Sequence, residues 1–199
     1  MTFQNRISIV VGTALAYFFL YQLNFILIGG SLHYAHRVDW IFLPSGLRFA
    51  FVLIFMLEGA FGIALASLFI TYQQYFDGDY LKLLVSGSMA GIGPYVAWKF
   101  AAAFLKLDHQ MANISSIGVF KLAAFFAFIS AIIHQLWYFW IGTNAQFLDT
   151  VVVMFIGDLL GTIVVLGLLQ MLLRTFRNFK NQLGDPARSH ESIQTKNRK

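Results

Sequence analysis

Apolar runs of about the length of a bilayer crossing recur along this chain, each closed by a short polar or aromatic stretch. They are Ile7–Gly30, Trp40–Leu57, Ala60–Phe76, Tyr80–Leu107, Ile117–Ile141 and Leu148–Phe176. A helix needs about 20 apolar residues to cross a bilayer. The pattern therefore predicts an all-α polytopic membrane protein, a bundle of six transmembrane helices. The second and third runs are joined only by Glu58-Gly59, which predicts a tight reversal there. Pro44 suits the first turn of its helix, where a missing N–H costs nothing. Pro94, preceded by Gly91 and Gly93, is expected to bend the fourth helix. Residues 1–178 read as one membrane domain. Residues 179–199 read as a polar, disordered cytoplasmic tail without apolar periodicity.

Composition supports lipid as the solvent. Of 199 residues, 58% are hydrophobic and only 12% charged, against about 25% charged in soluble domains. Mean hydropathy is +0.68. The first run exceeds a signal peptide's apolar core of about 7–15 residues and is read as a retained helix. There is no cysteine, which excludes disulfides, thiolate catalysis and cysteine-ligated metals.

The net charge of +5 is local. Half of the 14 basic residues, Arg174, Arg177, Lys180, Arg188, Lys196, Arg198 and Lys199, lie in the last 26 positions. No nucleic-acid surface is implied. The lipid bilayer is the expected partner, and the basic tail is first a topology signal. Arg6, Lys106 and Lys121 share its side, while Asp77, Asp79 and Asp149 fall opposite, with Arg37 and Lys82 as exceptions. Both termini are expected in the cytoplasm. Trp40, Trp137, Tyr138 and Trp140 lie at the far ends of their runs, as an interfacial aromatic belt would.

Against this background two charges stand out. Arg48 follows Leu43-Pro44-Ser45-Gly46-Leu47, and Asp158 sits in Gly157-Asp158-Leu159-Leu160-Gly161. A charge at bilayer depth costs about 2.5–3.5 kcal/mol on insertion scales, so such residues pair, line a cavity or carry function. At about 1.5 Å per residue, both fall within one arginine side chain of the same depth. They are read as a bolt between two helices or as part of a polar site, with a third reading in which Arg48 snorkels outward and never meets Asp158. Asn24 and His134, with Ser86, Ser88 and Gln135, reach a similar layer and extend the second reading to a pocket that binds an unknown small ligand. His134 also fits an interfacial position beside Trp137.

Helix packing is expected at Gly87 and Gly91 and at Gly157 and Gly161, two G-x-x-x-G spacings that let backbones approach. Gly62 and Ala66 form a looser version. Lys99 is expected to snorkel and Glu58 to be solvated at a turn. His33 and His36 lack a third ligand beyond Asp39, so no metal is predicted, and no cofactor. There is no H-E-x-x-H motif. Ser86 or Ser88 with His134 would be the only nucleophile–base pairing at depth, so the chain is not read as an enzyme.

The run from Trp40 to Gly59, W-I-F-L-P-S-G-L-R-F-A-F-V-L-I-F-M-L-E-G, resembles the opening signature of the bacterial MASE1 membrane-associated sensor domains. The next stretch, A-F-G-I-A-L-A-S-L-F-I, resembles that family's following Gly/Ala-rich helix. Met154 to Leu168, with G-D-L-L-G, resembles its last helix. The resemblance implies a sensory, ligand-binding module of the bacterial inner membrane, signalling through a separate membrane or cytoplasmic partner. Three departures accompany it. Family members usually have about eight spans, they are usually fused to a histidine kinase or a diguanylate cyclase, and Arg48 replaces a commonly apolar position. A looser resemblance, in size and span number, is to the substrate-binding subunits of energy-coupling-factor transporters. It implies a small-molecule-binding transport subunit as the alternative.

Overall fold

The computed structural model describes residues 2–28, 31–104 and 116–183. Five helices are seen: α1 (Phe3–Leu27), α2 (Pro44–Tyr75), α3 (Tyr80–Phe104), α4 (Ser116–Trp140) and α5 (Phe147–Leu183). The membrane-type, all-helical expectation is met in its coarse form. The number six is not confirmed among the described residues. Four helices, α1, α2, α4 and α5, are long and apolar enough to cross a membrane. One short antiparallel hairpin, β1 (His33–Ala35) with β2 (Val38–Asp39), adds to the expected architecture.

The difference in number lies in α2, which covers both the second and third predicted segments. It is broken at Met56, where φ is 50° and ψ is −113°. Around that break the helix folds back on itself. A Cβ at Gly59 would collide with the carbonyl of Phe51, eight positions earlier. A straight helix would separate those residues by about 12 Å. Contacts with α1 agree. The N–H of Leu43, just before α2, donates to Asn24 Oδ1 near the end of α1 (2.9 Å). Arg6, near the start of α1, approaches Glu58 at 3.5 Å. The far end of α2 then returns to Tyr21, whose hydroxyl is 3.1 Å from that of Tyr75. Glycine at position 59 is thus required by close approach, three residues after the break.

The chain divides into two units, residues 1–165 and 166–199. In the first, α2 packs against α1 and α3, and α3 against α4. Its core holds Tyr17, Val52, Ile63, Ala66, Ile70 and Trp98. Large apolar side chains face outward instead of being hidden: Val11, Leu15, Phe19, Leu65, Phe128 and Leu160 are all exposed. Contiguous apolar surface on this scale marks contact with lipid. In the second unit the described part is helical to Leu183, so residues 179–183 continue a helix where the polar tail was expected to begin. The remainder of that tail lies outside the described residues, as do Gly30 and the end of the fourth predicted segment, Leu105 to Leu107.

The glycine pairs have different partners. Gly87 and Gly91 of α3 meet Leu68, Ala64 and Ala60 of α2, a helix-on-helix approach. Gly157 and Gly161 of α5 meet no helix at those faces. A Cβ there would collide with the backbone carbonyls of Asp39 and Phe42. The segment between β2 and α2 lies in the groove these glycines open, and the N–H of Phe42 donates to the Gly157 carbonyl (3.1 Å). That also corrects the second predicted span, which was expected to begin at Trp40: Trp40 to Phe42 are not helical.

Candidate functional site

Four helices each carry a row of polar, aromatic or, at Met154, thioether side chains at three- to four-residue spacing. The rows are Tyr17, Tyr21 and Asn24 on α1; Ser67, Thr71 and Tyr75 on the returning arm of α2; Ser130, His134 and Tyr138 on α4; and Met154, Asp158 and Thr162 on α5. Residues three or four apart share a helix face. All except Ser130 and Thr162 line one cavity of about 100 Å³, together with Arg48, Ser86 of α3 and residues of the β1–β2 hairpin. Asn24, Arg48, His134 and Asp158, singled out by depth, are therefore neighbours in space.

The floor is an ion pair. Arg48 Nη2 lies 2.7 Å from Asp158 Oδ1, and both residues are 1% exposed. The guanidinium also sits 5.1 Å from the centre of the Phe42 ring. The pair is not the two-pronged contact that arginine favours with a carboxylate. Arg48 Nε and Asp158 Oδ2 are buried without a hydrogen-bond partner. A buried polar atom left unpaired costs about 1–3 kcal/mol, more if charged. The backbone beneath is well held. The Ser45 hydroxyl is 2.7 Å from the Phe42 carbonyl and 2.6 Å from the Asp158 carbonyl. Thr162 donates to that same Asp158 carbonyl (2.7 Å). Gly46 gives α2 room against Val165 of α5. These contacts fix the helices that carry the two charges.

The walls are more fully bonded. His134 Nδ1 is 2.8 Å from the Ser130 carbonyl. A carbonyl only accepts, so the proton is on Nδ1. Asn24 Oδ1 accepts from the Leu43 N–H, holding the end of α1 to the start of α2. Ser86 accepts from Trp137 Nε1 (2.8 Å).

Other sequence candidates lie elsewhere. Gln135 is fully buried, accepting from Asn144 Nδ2 (2.9 Å) and pointing its amide at Met154 Sδ (3.2 Å). Ser88 lines an apolar groove with Leu84, Ile92 and Ile133. Lys99 sits over the rings of Tyr95 and Trp98. His33 Nδ1 donates to Asp39 (2.9 Å).

Toward the hairpin the cavity meets a second space of about 220 Å³, bordered by Asp77, Asp79, Lys82 and Thr143. Arg37, Thr71, Tyr75, Ser86 and Tyr138 border both spaces and form the neck. The guanidinium of Arg37 lies 4.0 Å above the centre of the Tyr75 ring and 5.8 Å from that of Tyr138. His36 meets Tyr75 edge-on, with ring centres 5.2 Å apart. Its pKa is lowered from 6.5 to about 4, first because burial disfavours the imidazolium and then because Arg37 and His33 are close by. Asp77, at the outer rim, has its carboxyl held below the usual range by Lys82.

Arg37 and the four tyrosines were missed as site residues in the sequence. For the tyrosines the signal was present, since Tyr17, Tyr21 and Asn24 are spaced at four and three. For Arg37 there was none beyond its place among the topology exceptions. No curated protein and no solved structure matches the chain, and the MASE1 family model matches residues 6–196.

Proposed function

The chain belongs to the MASE1 family of membrane-associated sensor domains, and from that premise we propose that it is a ligand-responsive sensory module of the bacterial inner membrane, signalling through a separate partner protein. One observation carries the ligand-binding part: the cavity floored by a half-satisfied Arg48–Asp158 pair. A structural bolt is best served by closing every hydrogen bond in a dry interface. Here Arg48 Nε and Asp158 Oδ2 are unspent beside about 100 Å³ of space. A ligand that engages them differently in two helix packings would shift the balance between those packings by its difference in affinity.

Orientation is part of the proposal. Arg6 and Lys121 near the starts of α1 and α4, with Arg174, Arg177 and Lys180 late in α5, favour a cytoplasmic side for both termini. The cavity would then open to the outer face, and the basic end of α5 would be the surface that a partner reads.

Crosslinking of the tagged full chain in its own membrane tests this. The expected capture is a protein carrying a kinase or cyclase domain, whose activity changes when the chain carries Arg48→Leu together with Asp158→Leu. Capture of transporter ATPases, with that activity unaltered, would sink the sensory reading.

A further inference from the structure

We propose that the cavity takes a small ligand bearing an oxyanion, a carboxylate or phosphate group, and that Arg37 is the residue that selects it. The inference rests on the cavity being a ligand site, as above, and adds the ligand's chemical class.

The hydrogen-bond partners around the two spaces lead to it. Asp158 is engaged by Arg48 at 2.7 Å. Asp39 is engaged by His33 at 2.9 Å, and Asp77 by Lys82 at 2.9 Å. Asp79 accepts from the N–H groups of Leu81 and Lys82, capping α3. Every acidic group bordering the cavity and its vestibule thus has a partner. Arg37 has no carboxylate within ion-pair distance among the described residues. Its Nη1 reaches the Thr71 hydroxyl at a long 3.4 Å, and its buried Nε has no hydrogen-bond partner. The neighbouring His36, with its pKa near 4, is neutral at physiological pH and adds no second positive charge.

Backbone conformation gives a second, independent indication. Ala35 pairs with Val38, so His36 and Arg37 form a two-residue hairpin turn, and Arg37 has φ 59°. Turn positions with positive φ favour Gly or Asn. A long side chain with a strained backbone is not what the turn itself demands. Such strain persists where surrounding structure holds it, often at a binding site. The result is a guanidinium at the neck, laid on Tyr75 and short of an acceptor. A planar fork on an aromatic face suits a carboxylate or phosphate oxygen. Tyr17 and Tyr138 line the same space and bring hydroxyls able to donate.

The test uses the purified full chain in lipid nanodiscs, titrated by calorimetry with acetate, inorganic phosphate and acetamide at constant ionic strength. Acetate or phosphate should bind, and acetamide, nearly isosteric with acetate but uncharged, should not. Arg37→Gln should weaken anion binding at least tenfold, and Arg37→Lys should restore part of it. Matching melting curves of the ligand-free variants exclude a folding defect. Preference between the two anions assigns the group as carboxylate or phosphate. Absence of binding by both anions, acetamide binding as well as acetate, or unchanged anion affinity in Arg37→Gln would each overturn the proposal. The readout is binding alone, so it can fail while the partner-capture experiment succeeds, and the reverse.

Discussion

At one level of the bundle, α2, α4 and α5 bring Arg48, His134 and Asp158 around a space of about 100 Å³. Toward the Met56 break, α2, α3 and α4 bring Phe49, Val52, Trp98, Leu122 and Phe126 around a void of about 10 Å³. That is about the minimum for a single water. Phe49 and Phe126 meet there edge to face, 5.4 Å apart. The two levels share helices, so loose helix spacing does not explain the larger space. It arises where branched polar side chains and the hairpin must all be accommodated. The lower level is not wholly apolar in its atoms, since Trp98 Nε1 is buried without a partner. Its lesson is that this bundle can pack closely, and at the upper level it does not.

That contrast breaks most sharply at the ion pair. Asp158→Leu alone should destabilise the protein by about 3–5 kcal/mol, because Arg48 is left buried and uncompensated. Adding Arg48→Leu should recover most of the loss, as apolar replacement of both partners is often neutral or better. Denaturant titration of both variants in detergent micelles measures this. Equal losses in the single and double variants would show that the charges are not the issue.

In the lower layer, Leu122→Ala should cost about 2 kcal/mol, the low end for a buried truncation, because lipid supplies little hydrophobic driving force between helices. It should leave anion titrations at the upper level unchanged. A shift in anion affinity would show the two levels to be coupled.

Gly161→Ala tests the groove on α5 that seats residues 39–42 and should cost about 1–3 kcal/mol by overpacking. The new Cβ collides with the Phe42 carbonyl, which is backbone and cannot swing away. Gly167→Ala, on a helix position with open space, is the control and should be neutral or slightly stabilising. Melting temperatures compared side by side decide it.

The smallest effect is electrostatic. The pKa of His36 is about 4 in the folded protein against 6.5 ordinarily. The unfolded chain therefore binds the proton first as pH falls. Stability should decline from about pH 6.5 down to pH 4 and then level off. His36→Gln should flatten melting temperature against pH across that window, and an unchanged slope would assign it elsewhere.

Much of the helical framework is legible along the chain, because lipid imposes length and polarity on every segment that crosses it. Arg48 and Asp158 could be placed at one level by counting residues, since helical rise converts position into depth. Pro44 does open α2, and the reversal expected at Glu58-Gly59 lies beside the break at Met56. Counting fails where the backbone is not helical. Arg37 becomes a neck residue only because a hairpin folds His33 to Asp39 back over the bundle, and five residues of strand carry too short a period to announce that. Gly157 and Gly161 look like a helix-pairing motif because the spacing records only that something approaches. It does not record that the neighbour is the extended segment Asp39 to Leu43. The rows on α1, α2, α4 and α5 were visible one helix at a time, but their convergence is a property of packing.

The fold-back of α2 gives it the shape of tongs. Its pivot is Met56, and its two arms carry opposite parts of the cavity: Arg48 on one, Thr71 and Tyr75 on the other. Arg48 is about 12 Å from the pivot and Tyr75 about 28 Å, at 1.5 Å per residue. A given change of angle at Met56 therefore displaces the Tyr75 ring more than twice as far as the Arg48 guanidinium. The neck is the long end of the lever and the floor the short end, so any rotation at Met56 would move the ion pair less than half as far as the neck above it.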